Sequence, residues 1–165
     1  MDKEKLAEEI ISRFEADQSI RNLHKGNENE FDHRIDIENT LFMKKVIESI
    51  GWPSISKVGA KASFCGWLLV QHSDHDLSFQ KQCLYLMNQL PEGDIDKANL
   101  AYLTDRILVK EGKPQLYGTQ FYEENGAIQP RQILDIANLD LRRQEMGLEP
   151  FVEYQQTIID NNSKS

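Results

Sequence analysis

The sequence predicts a mainly α fold, a single-domain helical bundle with one small β-hairpin in its C-terminal third. Three observations carry that expectation. Apolar residues recur at helical spacing through most of the first 110 positions. Strand-favouring residues then take over near 116–122 and run into Asn125-Gly126, a strong hairpin-turn pair. The chain has 165 residues, 39% hydrophobic and 28% charged, enough to bury one core without disulfides or a structural metal.

The elements follow in order. Leu6, Ile10, Ile11 and Phe14 give residues 3–16 one apolar stripe. A polar segment, Asp17-Gln18-Ser19-Ile20-Arg21, comes next, and Lys25 to Glu30 read as a highly polar loop. A second helix spans 36–50, with Phe42, Val46 and Ile50 on one face; Gly51 stops it and Trp52-Pro53 turns the chain. The third, near 59–72, is apolar on nearly all sides and belongs at the centre of the fold. Ser73 or Asp76 caps a fourth helix over 77–90, facing inward through Phe79, Cys83, Met87 and Leu90. Asp94 opens a fifth through Leu108, closed by Gly112 and Pro114. Residues 115–122 read as a strand that returns through Ala127-Ile128-Gln129, with Pro130 marking an edge. A helix over 138–146 ends at Gly147, and Pro150 starts the last one. Residues 1–2 and 161–165 are expected to fray.

Charge and cysteine content narrow the function classes. A net charge of −8 and a pI near 5.0 argue against binding a nucleic-acid backbone. Cys65 and Cys83 sit in apolar helical settings at no metal-ligand spacing, as expected of buried thiols in a reducing compartment. No apolar run suits a signal peptide or a membrane span, so a cytoplasmic protein with no membrane partner is expected.

Two runs concentrate hydrogen-bonding side chains beside apolar or strand-like elements: Gln71-His72-Ser73-Asp74-His75-Asp76 and Gln115-Leu116-Tyr117-Gly118-Thr119-Gln120. That density suits the walls of a polar site. His72 ends the apolar helix, where the helix dipole favours its charge and burial opposes it. It is the candidate general acid or base, with Asp74 or Asp76 orienting it; the plainer alternative is a histidine that caps backbone carbonyls. Arg106, beside Asp105, could clamp an anionic group, with Arg143 assisting, or could tether its helix by a salt bridge. Gln71, Gln80, Gln115, Tyr117, Thr119 and Gln120 are candidate readers of a polar ligand, because an amide both donates and accepts. Strand alternation would place Gln115, Tyr117 and Thr119 on one face, or simply leave a wet polar face. Gly118 lets a ligand or another backbone approach. At i and i+4, Asp17 and Arg21 suffice for a helix ion pair.

Taken in order, these segments resemble a widespread, mostly bacterial family of unknown function. The pattern comprises Asp17-Gln18 with Arg21, Gly51-Trp52-Pro53, Gln71-His72 with Asp74 and Asp76, Phe79-Gln80, Asp105-Arg106, and Gln115 through Gln120. Arg142-Arg143 through Gly147-Leu148 is similar too. The resemblance covers most of the chain. It carries over no established activity and leaves the cofactor unknown, but it implies that the polar residues, more than the apolar ones, identify the family.

The expected function is therefore that of a small enzyme or ligand binder acting by acid–base chemistry on a small polar or anionic, nucleotide-like molecule. A non-catalytic interaction module, offering the hairpin edge to a protein partner, is the alternative. A second is an HD-like metal phosphohydrolase built on His33, His75, Asp76 and Asp105, although the helix around His75-Asp76 lacks the apolar setting of such enzymes and Asp76 is explained by capping alone.

Overall fold

A computed structural model of the chain describes residues 2–24 and 33–163. The polar loop expected at 25–30 lies outside the described residues. Eight α-helices and one two-stranded antiparallel hairpin are described, so the mainly α architecture with a hairpin holds. By proximity the chain divides into two compact units, Met1–Asp96 and Lys97–Ser165.

In the first unit, α1 (Lys3–Leu23) runs a further two turns beyond its apolar stripe. The polar segment 17–21 is thus helical, and the reason is visible at Asp17. Its side chain is fully buried and bonded to Arg21 one turn on, so this stretch has a buried polar face where an apolar one would be looked for. Asp2 caps the helix by accepting from the Glu4 amide at 3.2 Å. α2 (Arg34–Ile50) ends at Gly51, whose φ of 71° is the left-handed conformation that stops a helix. Lys57 Nζ then holds the carbonyls of Ile50 and Trp52 (2.6 and 3.1 Å), fixing the Gly-Trp-Pro turn over a buried Trp52.

Four residues, Ile55–Val58, form α3, too short to carry a period. Asp94 does not open the following long helix. Its carboxylate instead receives the Ser56 amide (2.6 Å) and hydroxyl (2.9 Å) at the start of α3. α4 (Ala60–Gln71) packs against α1, α2, α3 and α5, the central position its apolar composition predicts, although Phe64 is 45% exposed. Leu6, Ile10, Val46, Ala62 and Cys65 form one core cluster between α1, α2 and α4. α5 (Leu77–Asn88) starts as predicted, with Asp76 accepting from the Phe79 amide at 3.0 Å.

The second unit begins with α6 (Lys97–Lys110), which buries Ala101, Leu103 and Ile107. The hairpin is shorter and later than its sequence pattern. β1 (Phe121–Glu124) pairs with β2 (Ala127–Pro130), Phe121 opposite Pro130, across the Asn125-Gly126 turn. Residues 116–119 form no strand because the backbone bends around the carboxylate of Asp105, and the strand-face assignment of Gln115, Tyr117 and Thr119 falls with it. A 3-10 turn (Ile136–Asn138) leads into α7 (Leu139–Glu145), and α8 (Phe151–Ser163) follows Pro150. Asn161 and Asn162 continue α8, which therefore outlasts the expected fraying point. No described helix is long and apolar enough to cross a membrane.

Candidate functional site

The two polar runs lie in different units and have different characters. In the second unit, Asp105 is fully buried on α6. It accepts from the amides of Leu116 (2.7 Å), Tyr117 (3.0 Å) and Thr119 (3.0 Å), and from the Thr119 hydroxyl (3.0 Å). Successive amides turned towards one anion make a nest, and here the protein's own aspartate fills it. Burial pushes the Asp105 carboxyl above its ordinary range, and the Thr119, Leu116 and Tyr117 bonds pull against that. Gln115 is equally engaged. Its Nε2 donates to the carbonyls of Gln120 and Arg131 (both 2.9 Å), while its Oε1 accepts from the Gln120 amide (2.8 Å). Gln120 Nε2 donates to Thr119 Oγ1 (3.0 Å).

Arg143 is 1% exposed and donates to the carbonyls of Glu149 (2.7 Å) and Tyr117 (2.6 Å) beneath the rings of Phe151 and Tyr154. Arg142, its neighbour, holds the Leu116 carbonyl. Gly118 (φ 70°) is a close approach, but to Phe151: a Cβ there would lie 2.7 and 2.9 Å from ring carbons. The Gln-x-Tyr-Gly-Thr-Gln motif thus bonds mainly to itself, Asp105 and the arginines of α7. Arg106 lies on α6, partly exposed.

The first unit differs. The Asp17 carboxylate is fully buried and accepts from Gln18 Nε2 (2.9 Å), Arg21 Nε (3.1 Å) and His72 Nδ1 (3.0 Å). Burial pushes Asp17 up, but the bonds from His72 and Arg21 outweigh it and hold the carboxyl below its ordinary range. Arg21 reaches on through Nη2 to Asp36, at the buried start of α2, and Asp36 also receives His33 Nδ1 (3.0 Å). One guanidinium therefore bridges two carboxylates, each of which holds a histidine.

His72 caps α4 with its side chain 16% exposed. An ionised carboxylate only accepts, so Nδ1 carries the proton and Nε2 is the ring's acceptor when the imidazole is neutral. Nε2 has no protein partner among the described residues. The carboxylate that orients His72 is therefore that of Asp17, 55 positions away. Asp76 instead caps α5 and pairs with Lys44 at 2.6 Å. Asp74 is half-buried beside it. Gln71 and Gln80 are both buried at the end of α4, where Gln80 Nε2 donates to the Val70 and Gln71 carbonyls (3.2 and 3.1 Å). The sequence marks Asp17, Gln18 and Arg21 as lesser candidates, with a local ion pair between Asp17 and Arg21, and does not single out Asp36. Both belong to contacts between distant segments, which no helical period signals.

Ligand atoms of Asp17, Asp36 and His72 lie within 4.8 Å of one another, a spacing that suits a divalent cation. The positive charge between these carboxylates is supplied by the Arg21 guanidinium, so the native arrangement fits an internal cation better than a metal. The HD-type grouping fits less well. His33 bonds Asp36, Asp76 is shared by a helix cap and a lysine, and Asp105 is wrapped in amides in the other unit.

The site belongs to a helical fold in which a carboxylate-oriented histidine closes the most buried helix. The chain belongs to the family of unknown function DUF6624, which matches residues 4–164. No curated protein and no solved structure matches it.

Proposed function

We propose that the chain is a small-molecule enzyme or binder whose working group is His72, in a site contributed by α1, α2 and the end of α4. The observation that carries this reading is the Asp17–His72 bond on Nδ1, with Nε2 left unbonded among the described residues. A carboxylate on Nδ1 fixes tautomer and ring orientation and stabilises the imidazolium formed when Nε2 takes a proton. Asp17 orients, Arg21 balances the two carboxylates, and Asp36 anchors Arg21. The substrate is a small polar molecule that presents an O–H or N–H to Nε2. A nucleotide-like ligand remains within that class through its base or sugar. An anionic group finds no support in the cluster, whose guanidinium is bonded to both aspartates.

The test is a thermal-shift screen of the wild type and His72→Ala against nucleosides, nucleotides, sugars, amino acids and amides. A compound that stabilises the wild type by several degrees and leaves His72→Ala unchanged supports the reading. Equal stabilisation of both by every binding compound would remove His72 from the site, and a response confined to a protein partner would favour an interaction module.

A further inference from the structure

We infer that Gln80 is a positioning residue for His72, acting through the backbone at the end of α4. This rests on the reading of His72 as the proton-transfer group. The last turn of a helix leaves carbonyls without intrahelical donors. At α4 these are answered by side chains and by the chain's own continuation. The Leu68 carbonyl receives the His72 amide (3.1 Å), and the Val70 carbonyl receives the Ser73 amide (3.0 Å). Ser73 Oγ donates to the Leu69 carbonyl (3.2 Å) and is itself bonded to Thr40 of α2 (2.7 Å).

Gln80 completes the set from α5, giving one hydrogen each to Val70 and Gln71. The Gln71 carbonyl belongs to the same peptide plane as the His72 amide. That plane is therefore held at both ends, its N–H on Leu68 and its C=O on Gln80. The plane fixes the direction in which the His72 side chain leaves the backbone, and so the approach of Nδ1 to Asp17.

Packing alone does not explain Gln80. It is fully buried between Phe79 and Cys83, where an apolar side chain would fill the space. Its Oε1 has no hydrogen-bond partner among the described residues, a cost that an apolar residue would avoid. What the amide adds is its pair of donors, and both go to the turn that carries His72. A role as a direct ligand contact, expected from the sequence, is replaced by control of the imidazole.

The experiment is nitrogen-15 NMR of the histidine rings in the full chain. The wild type is expected to show His72 as a single tautomer with a slowly exchanging Nδ1 proton, and Asp17→Asn identifies that signal by altering it. Gln80→Met keeps length and volume but removes the donors; it should abolish the protected proton and mix the tautomers. Met87→Ala, a buried truncation on the same helix, should lower stability and leave the ring signature intact. Gln80→Asn, too short to reach the carbonyls, serves if Gln80→Met does not fold. An unchanged ring signature in the Gln80 variant overturns the positioning role alone, as does equal loss in Met87→Ala. A wild type without an Asp17-bonded Nδ1 proton overturns the His72 reading itself and the inference with it.

Discussion

Replacing Gly118 by alanine tests whether the glycine of the longest motif makes room for a ligand or for the protein. Two costs are separable. The backbone there has φ of 70°, a left-handed conformation that costs an L-residue about 1–2 kcal/mol. The new methyl would also lie 2.7 and 2.9 Å from Cε2 and Cδ2 of Phe151, and 3.4 Å from Ile133 Cδ1. Phe151 is itself buried and stacked on Phe121, so the overlap cannot be relieved by a small swing, and overpacking of this kind costs about 1–3 kcal/mol. The sum is roughly 2–5 kcal/mol. Gly126 supplies the control: its φ is 77° and no atom lies within 4 Å of its added Cβ, so Gly126→Ala carries the backbone cost alone. Urea denaturation of the two variants measures the difference, and Phe151→Leu added to Gly118→Ala should recover about 1 kcal/mol or more of it. If Gly118→Ala costs no more than Gly126→Ala, or if Phe151→Leu recovers nothing, the ring does not fill that space and the motif must be reconsidered as a ligand wall.

Asp105→Asn should destabilise the protein by roughly 3–5 kcal/mol, because charge-assisted bonds from the 116–119 amides are lost and an N–H₂ is turned towards N–H donors; a loss in urea denaturation smaller than about 1 kcal/mol, the worth of a single neutral hydrogen bond, refutes the amide nest. Gln115→Leu should cost about 3 kcal/mol or more and speed hydrogen exchange at Gln120, whose amide loses its acceptor. Asp17→Asn has a pH signature. The bonds from His72 and Arg21 hold the folded-state pKa below that of an ordinary aspartate, so Asp17 contributes stability above the ordinary value and loses it as pH falls through the depressed one. The variant should therefore be less stable near pH 7 and show a shallower loss as pH falls below the ordinary aspartate range; parallel acid limbs would contradict the bonding to His72 and Arg21. Arg21→Ala should expose a cation site between Asp17, Asp36 and His72, so that manganese or zinc raises the melting temperature of the variant more than that of the wild type. Equal responses would show that Arg21 does not occupy the position a metal would take.

The parts of this fold legible in the sequence are those governed by local rules. The apolar periods of α2, α4 and α5, the Asp76 cap, the stop at Gly51 and the Asn125-Gly126 turn each depend on residues within a few positions of one another. The misread parts depend on partners far along the chain. Residues 116–119 have the composition of a strand, but Asp105 eleven to fourteen positions earlier draws their amides inward. Asp94 has the look of a helix cap and is one, for Ser56 on the preceding side rather than for α6. The end of α1 reads only as a polar segment because its inward residue is an aspartate, which becomes acceptable in a core only when Arg21 and His72 meet it.

The same distinction decides which polar motif is the better place to look for chemistry. Density of hydrogen-bonding side chains does not by itself define a site, since such groups can satisfy one another. Around Asp105 they do: carboxylate, amides, Gln115 and Arg143 pair off inside the second unit, and the motif behaves as a clasp that fixes a loop. Around Asp17 the pairing among the described residues is incomplete. Gln18 and Arg21 complete the carboxylate's bonds, Gln80 and Ser73 complete those of the helix end, and His72 Nε2 is left over on a ring held from behind. Orienting an imidazole so firmly costs conformational entropy and requires a buried charge behind it, neither of which a carbonyl-capping histidine needs. The unequal completion of the two networks, more than the number of polar residues in either, is what directs a search for activity to His72.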